Sequence, residues 1–135
     1  MTPGMASGKP LSVFVVDDDP MIVEFVTTVL QDAGHEVRSD LVGLTAISEI
    51  AACRPDVVLT DLMMAAVDGL ALCRELRRKP RLNRTAVIFM TSRTEMVWRD
   101  QAAAAGADGY IEKPLDLDTF VPTIERIVET GRNPK

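Results

Sequence analysis

Short apolar runs alternate with segments of helical period along the whole chain. Ser12 to Val16 is a nearly unbroken β-branched and aromatic run, the pattern of a strand covered on both faces. Asp19 then offers an N-cap, with Pro20 at the first helical position. Behind it Ile22, Phe25, Val26, Val29 and Leu30 share one helical stripe, which Gly34 ends. The unit repeats. Glu36 to Ser39 reads as a weak strand and Leu44 to Ala52 as a helix whose Leu44, Ile47 and Ala51 share a face. Asp56 to Thr60 is a strand, after which Asp68 caps a helix carrying Leu72, Cys73 and Leu76. Ala86 to Met90 is the strongest strand, followed by a helix from Glu95 to Ala105 that Gly106 ends. Gly109 to Glu112 is a short strand, and Leu117, Phe120, Val121, Ile124, Ile127 and Val128 define a last helix. Five strands alternating with five helices predict a doubly wound α/β fold, a parallel sheet covered on both faces. Its ligand site lies at the carboxyl ends of the strands.

With 135 residues, the chain suits one domain. We place it at residues 11–130, between a disordered tail at 1–10 and a short tail at 131–135. The first ten residues lack the apolar stretch of a signal peptide, and no apolar run reaches the length of a membrane span. A net charge of −5 argues against nucleic acid as the primary partner, because phosphate neutralisation needs clustered positive charge. The one basic cluster, Arg74, Arg77, Arg78, Lys79, Arg81 and Arg84, reads as a solvated helix end, where cations suit the helix dipole. Cys53 and Cys73 lie in helical apolar patterns away from other metal-ligating residues, and read as reduced core cysteines.

Chemistry enters at the strand ends. Asp17, Asp18 and Asp19 follow the first strand, Asp61 the third, Thr91 and Ser92 the fourth, and Lys113 with Pro114 the fifth. Four strands therefore bring acids, a hydroxyl and an ammonium to one edge of one sheet. Two like charges about 4 Å apart repel by roughly 4 kcal/mol at an effective dielectric of 20. Such a cluster either takes up a proton or binds a cation. All-oxygen donors favour a hard dication such as Mg²⁺, and the absence of His or Cys from these stretches argues against zinc. A carboxylate, a Mg²⁺, a Lys and a Thr hydroxyl together suit phosphoryl transfer. Asp61 is the best nucleophile because it stands alone on its strand, whereas Asp17 and Asp18 are adjacent and can share the ion.

These stretches, VFVVDDDP (13–20), DVVLTDLMMAAVDG (56–69), VIFMTSR (87–93) and GADGYIEKP (106–114), resemble the receiver domain of two-component response regulators, in order and spacing, from about Leu11 to Thr130. The resemblance implies a flavodoxin-like sheet of strand order 2-1-3-4-5, in a single-domain, CheY-like chain. It makes Asp61 the phospho-acceptor and Asp18 a direct ligand of Mg²⁺, with Mn²⁺ able to substitute. Asp17 would act through water or orientation, and the Met63 backbone carbonyl would complete the protein ligands. Thr91 would swing toward the phosphoryl group and Lys113 would pair with it, ahead of a cis Lys113–Pro114 bond. Tyr110 would change rotamer with Thr91, against the alternative of a half-buried strand tyrosine. The implied partners are a histidine kinase or His-phosphotransfer protein, and a downstream protein or second copy on the face made by helix 4, strand 5 and helix 5. The implied setting is cytoplasmic, and the chain would be no enzyme beyond promoting its own Mg²⁺-dependent phosphorylation and slow dephosphorylation. The slow decay is expected because Met63 and Arg93 flank the phosphoryl site.

Three departures stand out. Ala65, then Ala66, occupies the place of a usual Pro four residues after the acceptor, which predicts a looser loop. Ser92 replaces a commoner Ala. The helix from Glu95 to Ala105 has the poorest stripe: Asp100 falls at an inward position and Trp98 aligns with Ala102 and Ala105. Trp98 is open to two readings, core residue or exposed partner contact. A pseudo-receiver that binds without phosphorylation is the main alternative, although no acid, Thr or Lys is lost. An aspartyl-phosphate hydrolase would need a second Asp where Met63 stands, and a flavin domain would need a phosphate loop where Asp17 to Asp19 stand. Whether the chain acts alone or is part of a longer protein stays open, with the stand-alone form as the expectation.

Overall fold

The computed structural model describes residues 9–64 and 68–130. The two tails assigned at 1–10 and 131–135 fall largely outside the described residues, as does the loop at Ala65 and Ala66. Five parallel strands, β1 (Ser12–Val16), β2 (Glu36–Asp40), β3 (Val57–Asp61), β4 (Ala86–Thr91) and β5 (Gly109–Glu112), form one sheet of order β2-β1-β3-β4-β5. Between and after them run α1 (Pro20–Asp32), α2 (Gly43–Cys53), α3 (Gly69–Arg77), α4 (Met96–Ala104) and α5 (Phe120–Thr130). This is the expected doubly wound fold with the expected strand order. A single 3-10 turn at Pro80–Leu82, not foreseen in the sequence pattern, leads into β4.

Alternate residues of β1, β3 and β4 feed two separate cores, as a pleated strand requires. Phe14, Val16, Val58, Val87 and Phe89 pack with α2, α3 and Ala102 of α4. Val13, Val15, Val57, Leu59, Ile88 and Met90 pack with Val26 and Leu30 of α1 and with Phe120 and Ile124 of α5. Burial on both faces explains why β4 is apolar from Ala86 to Met90.

Helix faces depart from the expected stripes where side-chain size misleads. In α1 the buried residues are Val23, Val26 and Leu30, while Phe25 is exposed. The helix start is apolar on most sides, so two overlapping stripes compete. In α2 the buried face is Gly43, Ala46 and Ile50, and Leu44 is 65% exposed; small residues sit where the helix approaches the sheet. Leu117 is exposed and precedes α5. In α4, Asp100 faces out, and Ala102 and Ala105 are buried. Trp98 is half-buried against the same core, which decides for its core reading.

Polar clamps close the end of the sheet where the strands begin. Arg77, expected in a solvated cluster, instead turns inward. It donates to the carbonyls of Gly106, Leu82 and Thr85 and pairs with Asp108 at 2.8 Å. Asp108 also accepts the Val87 N–H at 2.9 Å. One guanidinium thus ties α3, the turn before β4 and the turn before β5 together. Across the sheet, buried His35 accepts the Leu11 N–H on Nδ1 at 2.9 Å, so Nε2 carries the ring proton and donates to Glu125 of α5 at 2.8 Å.

Removing Arg77 takes the guanidinium away from a mostly buried carboxylate and from three carbonyls. Arg77→Ala should therefore destabilise the fold by about 3 kcal/mol in urea unfolding, and Arg77→Lys should recover only part of this because a single ammonium cannot span the same acceptors. A loss below about 1 kcal/mol, typical of a surface pair, would contradict the clamp.

Candidate functional site

The register of the sheet decides what meets at its other end. Val16 lies beside Thr60, and Asp61 beside Met90, so the residues following β1 and ending β3 and β4 converge. Asp61 and Thr91 close their strands rather than following them, each strand running one residue further than the apolar pattern implied. Lys113 follows β5, and its N–H donates to the Thr91 carbonyl at 2.8 Å. The Lys113–Pro114 bond is cis, as expected.

Asp17 is fully buried. One carboxylate oxygen accepts the Asp19 N–H at 3.0 Å and the other receives Lys113 Nζ at 3.1 Å. The same ammonium lies 3.5 Å from Asp61. Asp18 is exposed, and carboxylate oxygens of Asp17, Asp18 and Asp61 all lie within 4.8 Å of one another. Asp19 points elsewhere: it caps α1 by accepting the Met21 N–H at 2.9 Å. Burial pushes the Asp61 carboxyl above the ordinary aspartate value. The Lys113 charge pulls it down, the Asp17 charge pushes it up again, and the Met63 N–H, which donates at 3.4 Å, lowers it slightly. Burial and the neighbouring acid win.

Gly69 makes the acceptor loop possible. A Cβ there would overlap the Asp61 carbonyl oxygen and come within 2.8 Å of the Phe89 ring. The Gly69 N–H donates to the Leu62 carbonyl at 2.8 Å, holding the start of α3 against the end of β3.

Beside Asp61 opens a polar cavity of about 280 Å³ lined by Asp61, Met63, Thr91, Arg93, Glu95 and Lys113, among others. Thr91 is buried, and its hydroxyl oxygen accepts the Arg93 N–H at 3.2 Å. Tyr110 is half-buried and donates its hydroxyl proton to the Arg93 carbonyl at 2.8 Å. Met63 and Arg93 both line the cavity, but the Arg93 guanidinium lies 5.9 Å from the centroid of the Trp98 ring. Two contacts had no signal in the spacing of residues: Arg99 of α4 stacks over Tyr110 and pairs with Glu112.

The donor set fits a hard dication. Neighbouring oxygens on an octahedral Mg²⁺ at about 2.1 Å lie about 3 Å apart, so carboxylates that already lie within 4.8 Å of one another would draw closer around it.

The comparisons agree with this geometry. The family model of the response regulator receiver domain matches residues 13–125. Among curated relatives, the DNA-binding dual master transcriptional regulator RpaA of Synechocystis is 30% identical over 124 residues, 91% of this chain and 52% of that protein. Response regulator MprA of Mycobacterium sp. strain KMS is 33% identical over 119 residues, 88% of this chain and 51% of that protein. The chain spans about half the length of the curated relatives it matches. Among solved structures, the chemotaxis protein CheY4 of Vibrio cholerae superposes with a TM-score of 0.84 at 28% identity, covering 88% of this chain and 99% of that one. The receiver domain of Francisella response regulator 1452 gives 0.79 at 27% identity, covering 87% and 96%. The fold, the acidic cluster and these matches lead to one assignment: the chain belongs to the response regulator receiver domain family of two-component signalling.

Proposed function

We propose that residues 11–130 form a phospho-acceptor domain in which Asp61 takes a phosphoryl group from a phosphohistidine. The observation that carries this reading is the triad Asp17, Asp18 and Asp61, gathered at one end of the sheet with Lys113 between two of its members. One Asp61 oxygen bonds to phosphorus as the P–N bond breaks, and the imidazole leaves with the electron pair. A bound Mg²⁺ would draw off charge from the carboxylates and from the incoming phosphoryl oxygens. Asp18, exposed toward solvent, is suited to direct ligation, and the Met63 carbonyl to completing the set. Asp17, engaged by Lys113 and the Asp19 N–H, is suited to orientation. Lys113 already lies between Asp17 and Asp61, where it can follow the added charge. Thr91 would donate its hydroxyl proton to a phosphoryl oxygen, and Tyr110 would respond through Arg93.

The partners follow from the rim around the site. Met21, Leu44, Met63, Met96 and Leu117 are exposed large apolar residues, one beyond each of the five strands. Exposed apolar residues beyond the strand ends suit a macromolecular donor that covers the site, a histidine kinase or His-phosphotransfer protein. Signal output would use the face of α4, β5 and α5, toward a downstream protein or a second copy. Among the described residues no helix is long and apolar enough to cross a membrane; the setting we propose is the cytoplasm.

Acetyl phosphate with Mg²⁺ should add one phosphoryl mass to the protein, and Asp61→Ala should abolish the gain. An intact gain in that variant would mean a different acceptor, and no gain in the wild type would favour a pseudo-receiver. Mg²⁺ at ten times its Kd should stabilise the wild type by about 1.4 kcal/mol, and Asp18→Asn should lose most of this in thermal melts.

The raised Asp61 carboxyl carries a sign. A carboxyl held above its unfolded value favours the folded state only while protonated, so its ionisation at neutral pH destabilises the metal-free domain. Asp61→Asn should therefore melt a few degrees higher than the wild type near neutral pH. The advantage should vanish as acid protonates Asp61. Equal melting at neutral pH would contradict the electrostatic account.

A further inference from the structure

We propose that the basic platform at the end of α3 and the turn after it is a docking surface for a short acidic segment of a partner protein. It lies at the end of the sheet where the strands begin, away from Asp61.

The platform is dense and largely unpaired. Six cations and one acid, Glu75, fall within residues 74–84. Arg77 turns inward to Asp108. Arg78 makes a long contact of 3.6 Å with Glu75, and its side chain stays 78% exposed. Arg74, Arg81 and Arg84 are exposed and Lys79 is half-buried; among the described residues none of these four has an ion pair. Cations in the last turn of a helix suit its dipole, but that effect fades within the turn. Arg81 and Arg84 lie beyond α3, so the dipole accounts for neither. Like charges one turn apart, as at Arg74 and Arg78, weaken a helix. The fold therefore carries a repulsion that no contact among the described residues offsets, and an anionic partner would relieve it.

Arg77 makes this surface rigid. Its guanidinium donates to the Leu82 and Thr85 carbonyls, and Leu82 is itself buried. The Leu82 and Asn83 N–H groups close the turn on the Lys79 and Pro80 carbonyls at 2.9 and 3.1 Å. Cations fixed on a closed turn lose less freedom on binding than cations on a loose loop. Guanidinium groups also present paired donors that match a carboxylate. The acidic rim at the other end of the sheet does little to quench their field. The six residues of β4 put about 17 Å between the two ends, twice the screening length of about 8 Å at physiological salt.

The extent of the platform selects the partner. Exposed Asp32, Glu36 and Asp56 lie at the same end of the sheet. Asp56 borders the platform, its carbonyl accepting the Ala86 N–H at 3.0 Å. A nucleic-acid duplex or an anionic membrane would run on over these acids. No aromatic side chain lies within residues 74–84 to stack on an unpaired base. A short acidic segment meets the cations and stops.

The full chain is titrated into a fluorescein-labelled short polyglutamate peptide, followed by anisotropy at about 50 and about 200 mM salt. Binding should saturate at the lower salt and weaken at the higher. Arg74→Gln, Arg81→Gln and Arg84→Gln combined should weaken it roughly tenfold, the sum of three exposed charge contacts. Arg38→Gln with Arg126→Gln removes exposed cations elsewhere and should leave the affinity unchanged. Arg84→Gln alone, with a loss of about twofold, carries the test if the triple variant fails to fold. No saturable binding at the lower salt, or an equal loss in the Arg38 and Arg126 variant, would overturn the proposal. Tighter binding of a short DNA duplex or of phosphatidylglycerol vesicles through the same arginines would overturn it too.

Discussion

A single ammonium group, Lys113 Nζ, stands between the buried Asp17 carboxylate and Asp61. An ionised carboxylate with no exposure needs a charged partner at close range, and here that partner is shared. Three carboxylates gather around that lysine at one rim of the sheet. Burial pushes the Asp61 carboxyl above its ordinary range in spite of the lysine beside it, and the Asp17 charge adds to the rise. Such a site favours any arrival that brings positive charge, and a dication prepares the same carboxylate for an anionic phosphoryl group.

The two ends of the sheet divide the work. Where the strands end, like charges crowd and the backbone closes tightly around Gly69. Where they begin, Arg77 and His35 knit helices to loops with satisfied, mostly buried polar bonds. A domain that keeps destabilising charge at one pole needs compensating order elsewhere, and the apolar strands between supply most of it. Among the described residues α4 buries fewer side chains than α3, and Arg99 ties it to β5 through Glu112.

Much of this was legible in the chain before its fold. Short apolar runs and helical periods placed all five strands and helices, and the strand-end acids, Thr91 and Lys113 come together at one edge of the sheet. What failed did so for identifiable reasons. Leu44 and Phe25 were assigned inward because large apolar residues dominate a stripe, but close helix–sheet approach selected Gly43 and Ala46. Arg77 lay in a run of cations whose spacing carries no hint that one member turns inward to Asp108, more than thirty residues later. Arg99, Tyr110 and Glu112 were similarly opaque. Their contact depends on how α4 lies across β5, which no local periodicity encodes.

The central claim is electrostatic, and the carboxyl carbon of Asp61 reports on it directly. Following that resonance by NMR across pH, without and with saturating Mg²⁺, should show titration above the ordinary aspartate range in the metal-free protein and a marked fall when the ion binds. Titration within the ordinary range and indifferent to Mg²⁺ would mean that the acids neither crowd one another nor share a cation.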